Sequence, residues 1–360
     1  MNRRALIKAL GSVILLTGGT LPSVVFSQDK PKLLAPPEVT SPLFHVFGVL
    51  PEPVEIKRIF AAGVPASVLV NSVAPKQLLG WPFELPEASR LWLSDFSRQL
   101  PVVGRLAGRG STISSEELLN LRPDIIIDAG EVNDHYLAQA QQFHEQTGIP
   151  YVLVGGRIED TPEQVRVLGA ILGHQRHGQQ LATAAQEVLN SVAAKRNAFK
   201  GEMPSMYMAR SATGLETGTG DSIHSEIIRL VGAKNVASDI DGERLGQVSM
   251  EQILLWNPDI VLTQDKAFYE GVYDNPMWQD LPAVRNKKVL FVPNVPFGWL
   301  DAPPSVNRLF GALWLLSWLN NEDQKVLIDE LRHLFILYFA YDPGVERLQE
   351  LLSDPAAFAA

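Results

Sequence analysis

The segment between Val292 and Trp318 carries side chains that could bind an anionic or aromatic ligand. It follows a short apolar strand, Lys288–Pro293, and offers two aromatic rings, a carboxylate and a guanidinium group, those of Phe297, Trp299, Asp301 and Arg308. Asp301 or Ser305 could cap the helix that follows, and prolines 303 and 304 fit its first turn, where a missing amide hydrogen is no loss. A loop that joins a strand to a helix lies at the carboxyl edge of an open sheet, where such folds bind ligands. The segment therefore predicts a ligand site.

A second group of candidate ligand-binding residues follows the predicted strand Pro204–Ala209. Tyr207 lies within this strand, and Arg210 comes directly after it on the opposite face, near the carboxyl edge of the sheet. Phe268 and Tyr269 follow the next predicted strand, and their rings could line the same side of the ligand site. Two arginines with aromatic neighbours suit an anionic chelate with catecholate or carboxylate groups, and they would equally suit a tetrahedral oxyanion.

The glycine-rich turn Gly214–Gly220 lies between a predicted strand and a predicted helix. It could supply backbone amides and the hydroxyl group of Thr217 to a ligand, and His224 lies just beyond it. A purely structural turn fits the same pattern, since the phosphate-binding motif GxxxxGK[ST] is absent. Because His224 lies beside this turn, it is the histidine that we expect to contact a ligand.

Composition excludes several classes of protein. The chain has 360 residues, 46% of them hydrophobic, and a net charge of −9, which argues against nucleic-acid binding. It has no cysteine, which excludes disulfides, thiolate zinc sites and cysteine nucleophiles. Neither a G-x-S-x-G elbow nor an HExxH motif is present, and the pair His174 and His177 has no third ligand nearby. We predict neither catalysis nor a metal site of the protein's own.

The first 27 residues have the features of an export signal. Arg3, Arg4 and Lys8 precede an apolar stretch that is short for a membrane span, and small residues at 25 and 27 allow cleavage after Ser27. The segment Asn2–Lys8 resembles the twin-arginine export motif, although ordinary signals also carry paired arginines, so both routes stay open. We expect a cleaved signal and a soluble periplasmic protein.

The remaining chain divides into four regions. A proline-rich leader at 28–54 precedes an N-terminal α/β lobe at 55–160, a connecting helix at 161–200, and a C-terminal α/β lobe with C-terminal helices at 201–360. Alternating strands and helices predict parallel sheets. A helix, a Pro-Asp pair and an aliphatic strand occur at 115–127 and again at 249–262. This echo indicates two lobes of the same plan, with a ligand cleft between them.

Four segments resemble the periplasmic substrate-binding proteins of metal-chelate ABC importers, and they are residues 100–130, 149–173, 218–237 and 249–263. Their order and spacing carry the likeness, which covers roughly residues 56–319. That family takes up ferric siderophores, haem and cobalamin, and some close relatives take molybdate, tungstate or nickel complexes. The resemblance implies two Rossmann-like lobes, a single long connecting helix and a cleft with limited closure.

The same resemblance implies a function and a partner. The protein would capture an iron–siderophore or a related chelate, such as haem or a corrinoid, and deliver it to an ABC permease in the inner membrane. The alternatives are molybdate or tungstate as the ligand, or an exported α/β enzyme. Importers of this family dock through an acid on each lobe. Glu226 matches that position in the second lobe, whereas Val68 stands where the first-lobe acid is expected. We expect a monomer without a resident cofactor.

Overall fold

The computed structural model describes residues 40–359 apart from 109, 243 and 244. The predicted signal peptide at 1–27 lies outside the described residues, as does the leader up to residue 39. In the described part the strands are β1 (Phe44–Phe47), β2 (Ile59–Ala61), β3 (Ile125–Gly130), β4 (Tyr151–Gly155), β5 (Ser205–Ala209), β6 (Glu216–Gly218), β7 (Lys234–Asn235), β8 (Leu245–Gln247), β9 (Ile260–Thr263) and β10 (Val289–Phe291). The α-helices of this part are α1 (Val64–Val73), α2 (Glu87–Arg90), α3 (Asp95–Arg98), α4 (Ser115–Leu121), α5 (Asp134–Thr147), α6 (Thr161–Ile171), α7 (Gln175–Ala198), α8 (Glu226–Leu230), α9 (Met250–Trp256), α10 (Lys266–Gly271), α11 (Pro276–Gln279), α12 (Pro282–Arg285), α13 (Arg308–Leu319), α14 (Gln324–Phe339) and α15 (Val345–Ser353).

The first sheet has the strand order β1-β4-β3-β2. Strands β2, β3 and β4 are parallel, and Ile125–Ile127 of β3 is a fully buried aliphatic run, as expected for a strand that is covered on both faces. Strand β1 pairs antiparallel with β4 at the edge, and Phe44 packs into the core. The sequence analysis placed residues 44–47 in a proline-rich leader before the first lobe, whereas the structure makes them a strand of the first sheet. The prolines around it suggested an extended leader, but they allow an edge strand.

The second sheet has the order β10-β9-β5-β7, and its strands are all parallel. Its two central strands, β5 and β9, are buried, with Tyr207 opposite Val261. A small antiparallel pair, β6 and β8, extends from the end of β5. Two parallel sheets of this kind agree with the predicted pair of α/β lobes.

The predicted internal duplication corresponds to α4–β3 in the first lobe and α9–β9 in the second. Ser114 and Ser249 cap the two helices, and each side chain accepts a hydrogen bond from a backbone amide of the first turn. The aspartate of each Pro-Asp pair then ties its strand to the neighbouring one. Asp124 accepts from the Arg58 amide and Asp259 from the Ser205 amide, both over 2.8 Å.

The connection between the lobes consists of two helices, not the single long helix that the sequence predicted for 161–200. Helix α6 ends at Ile171, and α7 begins at Gln175 after a turn through Gly173, whose φ is 77°. The two helices pack against each other at Gly169 and Gly178. A Cβ atom built on Gly178 would lie 2.7 Å from the Val165 carbonyl oxygen, so only glycine permits this approach.

The C-terminal helices pack against the first lobe, although the predicted boundary assigned them to the second. Helix α14 contacts α1. The ring of Trp92 lies 5.4 Å from Phe335 of α14, and the guanidinium group of Arg347 lies 4.4 Å above the Trp92 ring. One continuous hydrophobic core consequently contains residues from both sheets and from these helices.

Helix α13 begins later than the sequence predicted. Its N-cap is Asn307, so neither Asp301 nor Ser305 caps it, and both prolines precede the helix. The segment between β10 and α13 is irregular and fills the space between the lobes, where Ser305 donates to the Pro65 carbonyl over 3.0 Å. Within residues 40–359, no helix has the length and apolar character that a membrane span requires.

Candidate functional site

A cavity of about 830 Å³ lies where the carboxyl ends of both sheets meet. The first sheet contributes Asp128–Gly130 at the end of β3, and α1 contributes its first turn. The second sheet contributes Arg210 after β5 and Gln264 after β9, and the loop after β10 closes the cavity with residues between Asn294 and Pro304. This is the position at which open α/β sheets bind ligands.

Four interacting polar side chains line the second-lobe wall of this cavity. Arg210 donates from Nε to Glu216 over 3.2 Å and from Nη1 to Asp301. The Nδ1 atom of His224 lies 2.9 Å from the same Asp301 oxygen. Burial favours the neutral form of Asp301, but the charge of Arg210 and the hydrogen bond to His224 outweigh it and hold the pKa of Asp301 below its ordinary value. The Arg210 charge is thus compensated by two carboxylates.

The first-lobe wall contains polar residues that the sequence analysis missed. Asp128 is buried at the end of β3 and accepts a hydrogen bond from the Tyr151 hydroxyl over 2.9 Å. Burial raises the pKa of Asp128 to about 6. Arg105, Glu131 and Tyr136 also line this wall. A carboxylate that directly follows an aliphatic strand was the available signal for Asp128, since such residues reach the ligand-binding edge of a parallel sheet.

Phe297 is the predicted aromatic residue that borders the cavity. Its ring lies 5.7 Å from Trp81 of the first lobe and 5.8 Å from Phe339 of α14. The apolar part of the lining continues with Phe83, Leu85 and Pro86. Phe297 therefore lies at the junction of both lobes, and its side chain is also part of the core.

Three other predicted aromatic residues belong to the protein core and do not line the cavity. Tyr207 is fully buried, and its hydroxyl group donates to the Gly214 carbonyl over 2.8 Å. Phe268 packs edge-on against Trp278 at 4.8 Å. The indole nitrogen of Trp299 donates to the Val295 carbonyl over 3.0 Å. Their assignment to the ligand site is corrected, because their surfaces and polar atoms are already occupied by the protein.

Two further candidates also lie away from the cavity. Tyr269 contacts Phe291 and borders a separate cavity of about 470 Å³ near the end of α13. Thr217 is fully buried in β6, and its hydroxyl group has no hydrogen-bond partner among the residues that the structure describes. The glycine-rich turn nevertheless matters for the site, because it brings Glu216 and His224 to the wall.

Arg308 connects the two lobes instead of facing the cavity. It is 1% exposed, and its guanidinium group donates to the Ser305 and Ile223 carbonyls of the second lobe. It also donates to the Gly156 carbonyl at the end of β4 in the first lobe and to Glu226 over 2.7 Å. These bonds use the donors that a ligand would need, so the prediction that Arg308 binds the ligand is corrected.

Glu226 is the carboxylate partner of Arg308 and is itself 1% exposed. It accepts hydrogen bonds from the Ile158 amide over 2.9 Å and from Arg157 over 3.0 Å, and both donors belong to the first lobe. Burial raises the pKa of Glu226, while the neighbouring Arg308 opposes that shift. A docking acid must be accessible to the permease, and Glu226 is not. The structure therefore contradicts the predicted docking role.

Comparison with known proteins identifies the family. The model of the family described as periplasmic binding protein matches residues 92–296, more than half of the chain. The chain belongs to the periplasmic binding protein family. This result confirms the predicted family and fold, and it places the chain among binding proteins, not enzymes.

Among solved structures, this periplasmic binding protein is similar to an ABC transporter solute binding protein from Sulfurospirillum deleyianum. That match has a TM-score of 0.74 and 28% identity, and it covers 84% of this chain and 95% of the other. A vitamin B12-binding protein from Vibrio parahaemolyticus is 26% identical over 196 residues, which are 53% of this chain and 66% of that protein. The molybdate-binding protein MolA from Haemophilus influenzae is 22% identical over 290 residues, 70% of this chain and 76% of that protein.

The described lining of the cavity in this periplasmic binding protein carries more acids than bases. The acids are Asp128, Glu131, Glu216 and Asp301, and the bases are Arg105 and Arg210. Because Arg210 already pairs with two of these acids, its positive charge is compensated and attracts an anion less strongly. The wall with Phe83, Leu85 and Phe297 offers apolar contact area. The arrangement can bind a ligand that has both apolar surface and hydrogen-bonding groups.

Proposed function

We propose that this protein captures a metal chelate in the cavity between its lobes and delivers it to an ABC permease. The chelate class comprises corrinoids, haem and iron–siderophores. The observation that carries the proposal is the size and charge of the cavity. Pockets of about 300–1,000 Å³ hold ligands of drug size, and this one measures about 830 Å³. Its arginine is compensated by two carboxylates, and its described lining carries more acids than bases, which favours chelates that are neutral or positive over highly anionic ones.

The names of several relatives support this class of ligand. Vitamin B12-binding proteins and an Fe(3+)-citrate-binding protein are among the similar sequences. Haem-binding and Fe3+-hydroxamate proteins share the fold. The earlier expectation of an anionic ligand required two available arginines. One of these is buried between the lobes and the other is paired with acids, so a neutral or cationic chelate fits better.

A second candidate ligand is molybdate or tungstate. It is favoured by the similarity to MolA, which extends over 70% of this chain. A tetrahedral oxyanion needs a tight cage of donors, and here it would compete with Asp301 and Glu216 for Arg210. A calorimetric titration with both metal chelates and molybdate decides between the two ligand classes.

The cellular setting is part of the proposal. The signal would be cleaved after Ser27, by either export route, and the mature protein would act as a periplasmic monomer without a resident cofactor. Accessible acids other than Glu226 would contact the permease, because Glu226 is committed to the contact between the lobes.

The experiment is a calorimetric titration of the exported protein with five probes. These are cyanocobalamin, haemin, a cationic ferric hydroxamate, an anionic ferric tricatecholate and molybdate. We expect binding of at least one neutral or cationic chelate and none of molybdate. The variant Arg210→Gln should shift the preference by about tenfold toward cationic probes, since a charge-assisted hydrogen bond contributes about 1.5–3 kcal/mol. Binding of molybdate alone would overturn the proposal.

A further inference from the structure

A second, smaller cavity of about 160 Å³ lies between α1, α3, α7 and α14. We call it the helix pocket. The polar part of its lining includes Asn71, Ser97 and His177, and the apolar part includes Ile336, Leu337 and Phe339 of α14. None of its described lining residues borders the cavity between the lobes. The helix pocket is therefore a separate space, which the proposed function does not use.

Asn71 places a buried donor without a partner in the lining of this pocket. The residue is 2% exposed, and its Oδ1 atom accepts from the Ser97 hydroxyl group over 2.7 Å. Ser94 donates its own hydroxyl group to Ser97 over 3.0 Å, so the Ser97 proton is directed to Asn71 and fixes the orientation of the amide. No hydrogen-bond partner for Nδ2 is found among the residues that the structure describes. Burial of such a donor is unfavourable until an acceptor reaches it.

The rest of the lining does not suit a water molecule. His177 uses Nε2 for the Ser72 carbonyl group at 2.9 Å, and the Ser72 hydroxyl group donates to the Val68 carbonyl over 2.9 Å. A buried water molecule needs about two to four polar partners, whereas an apolar cavity of about 150 Å³ binds benzene. The helix pocket thus combines the volume of a six-membered ring with one available donor.

We infer that the helix pocket is a second small-molecule site, which binds a compound of one six-membered ring with a carbonyl oxygen. The oxygen accepts from Nδ2 of Asn71, and the ring contacts Ile336, Leu337 and Phe339. The described lining contains no lysine or arginine, so a carboxylate would be buried without a compensating charge. Ile336 is 46% exposed and marks the opening through which the compound enters.

Two residues connect the helix pocket with the cavity between the lobes. Phe339 lines the pocket, and its ring lies 5.8 Å from that of Phe297, which borders the larger cavity. Trp81 lies 5.7 Å from the same ring, and its indole nitrogen donates to the Ser97 carbonyl over 2.8 Å. A ligand in the helix pocket would therefore contact residues that support the lining of the larger cavity, and Trp81 can report its binding.

The test is an NMR titration of the exported protein, labelled with ¹⁵N-tryptophan, with cyclohexanone as the probe. We expect a saturable shift of the indole N–H signal of Trp81. The indole signal of Trp278, which donates to Thr213 in the second lobe, should stay unchanged. The variants Trp81→Phe and Trp278→Phe assign the two signals. Asn71→Leu removes the donor and should lower the affinity for cyclohexanone relative to toluene by about two- to tenfold, the effect of one neutral hydrogen bond.

A second variant closes the pocket and does not depend on the stability of Asn71→Leu. Ile336→Phe should fill the opening and abolish the Trp81 shift. Its matched control is Val326→Phe, which replaces another exposed aliphatic residue of α14 and should leave the shift intact. The inference is overturned if cyclohexanone causes no saturable shift up to its solubility limit, or if the shift survives Ile336→Phe. No metal chelate enters this test, so its failure leaves the proposed function in place, and failure of chelate binding leaves this site in place.

Discussion

At the scale of single residues, burial determines the chemistry of the cavity. Asp128 illustrates this, because its carboxyl group is buried at the end of β3 and accepts hydrogen bonds from the Tyr151 hydroxyl and the Ala129 amide. Removal of the charged form from water raises its pKa to about 6, and these hydrogen bonds oppose that shift. The folded protein consequently binds a proton at this site more tightly than the unfolded chain does.

This raised pKa predicts a pH dependence of stability. Between pH 4 and pH 6 the folded state holds more protons at Asp128 than the unfolded state, so the free energy of unfolding should fall as pH rises through this window. The variant Asp128→Asn keeps an acceptor for Tyr151 and should remove the contribution of Asp128 to that fall. At pH 7.5 it should be more stable by about 1–3 kcal/mol in urea unfolding. The control Asp274→Asn replaces an exposed aspartate. A variant with the unmodified slope would contradict the prediction.

The sequence predicted part of the site at this scale. Arg210, His224 and Phe297 border the cavity, and so does Asp301 from the same predicted segment. Each of them follows a predicted strand or turn, and the carboxyl edge of a sheet is a property that sequence order reveals. Sequence order does not reveal whether a side chain at that edge points into the cavity or into the core. Trp299 and Arg308 follow the predicted strand as expected, but their side chains are buried in the protein and do not line the cavity.

At the scale of elements, the contact between the lobes depends on a buried ion pair. Arg308 at the start of α13 joins Glu226 at the start of α8, and both also bond to first-lobe backbone at Gly156 and Ile158. Such a pair favours one relative position of the two lobes, because either charge without the other would be buried and uncompensated. The sequence shows that Arg308 and Glu226 have opposite charges. They are 82 positions apart, so the sequence does not indicate that they pair.

Removal of one partner should therefore be costly. We expect Arg308→Met to lower the free energy of unfolding by about 3–5 kcal/mol, because Glu226 would remain buried without its cation. The double variant Arg308→Met with Glu226→Gln should recover part of this loss, as measured by a double-mutant cycle in urea. Arg332→Met is the matched control, because Arg332 pairs with Asp342 at the surface, where a pair contributes about 0–1 kcal/mol. Equal losses for both arginines would contradict this account.

The helix pair between the lobes gives a second prediction at the element scale. Alanine favours a helix over glycine by up to about 1 kcal/mol, so Gly178→Ala should be stabilising if helix propensity dominated. The new Cβ atom would instead meet the Val165 carbonyl at 2.7 Å and Gly169 at 2.9 Å, so α6 and α7 would have to separate. We expect a loss of about 1–3 kcal/mol in thermal unfolding. Gly271→Ala, whose added atom meets nothing within 4 Å among the described residues beyond its chain neighbours, should not be destabilising.

The elements themselves were largely predictable. Strands β5 and β10 lie within the predicted apolar segments, and β3 and β9 overlap theirs, because a buried parallel strand requires an unbroken aliphatic run. The sequence missed β1 among its prolines. Residues 161–200 were assigned to one connecting helix, although Gly173 was a candidate join, and the structure places the turn between α6 and α7 there. Packing between segments that are distant in the chain determines whether such residues form a strand or a separate helix, and the local sequence pattern does not show this packing.

At the scale of the whole molecule, one core joins both sheets through α13 and the C-terminal helices. Phe297, which borders the cavity, contacts Trp81 in the first lobe and Phe339 in α14. Both lobes therefore support this part of the cavity lining. A shared core limits how far the lobes can separate, and it fixes a cavity of chelate size between them. The sequence predicted two lobes and a cleft, whereas the return of the C-terminal helices to the first lobe depends on contacts such as Trp92 with Phe335.

The most direct test of the central claim is native mass spectrometry of the protein purified from the periplasm, with metal analysis on the same sample. The account predicts an adduct with the mass of a metal chelate, accompanied by iron or cobalt, and its loss on denaturation. An adduct of oxyanion size with molybdenum or tungsten would contradict the account, because a cavity of about 830 Å³ with a paired arginine would then serve a ligand that it does not fit.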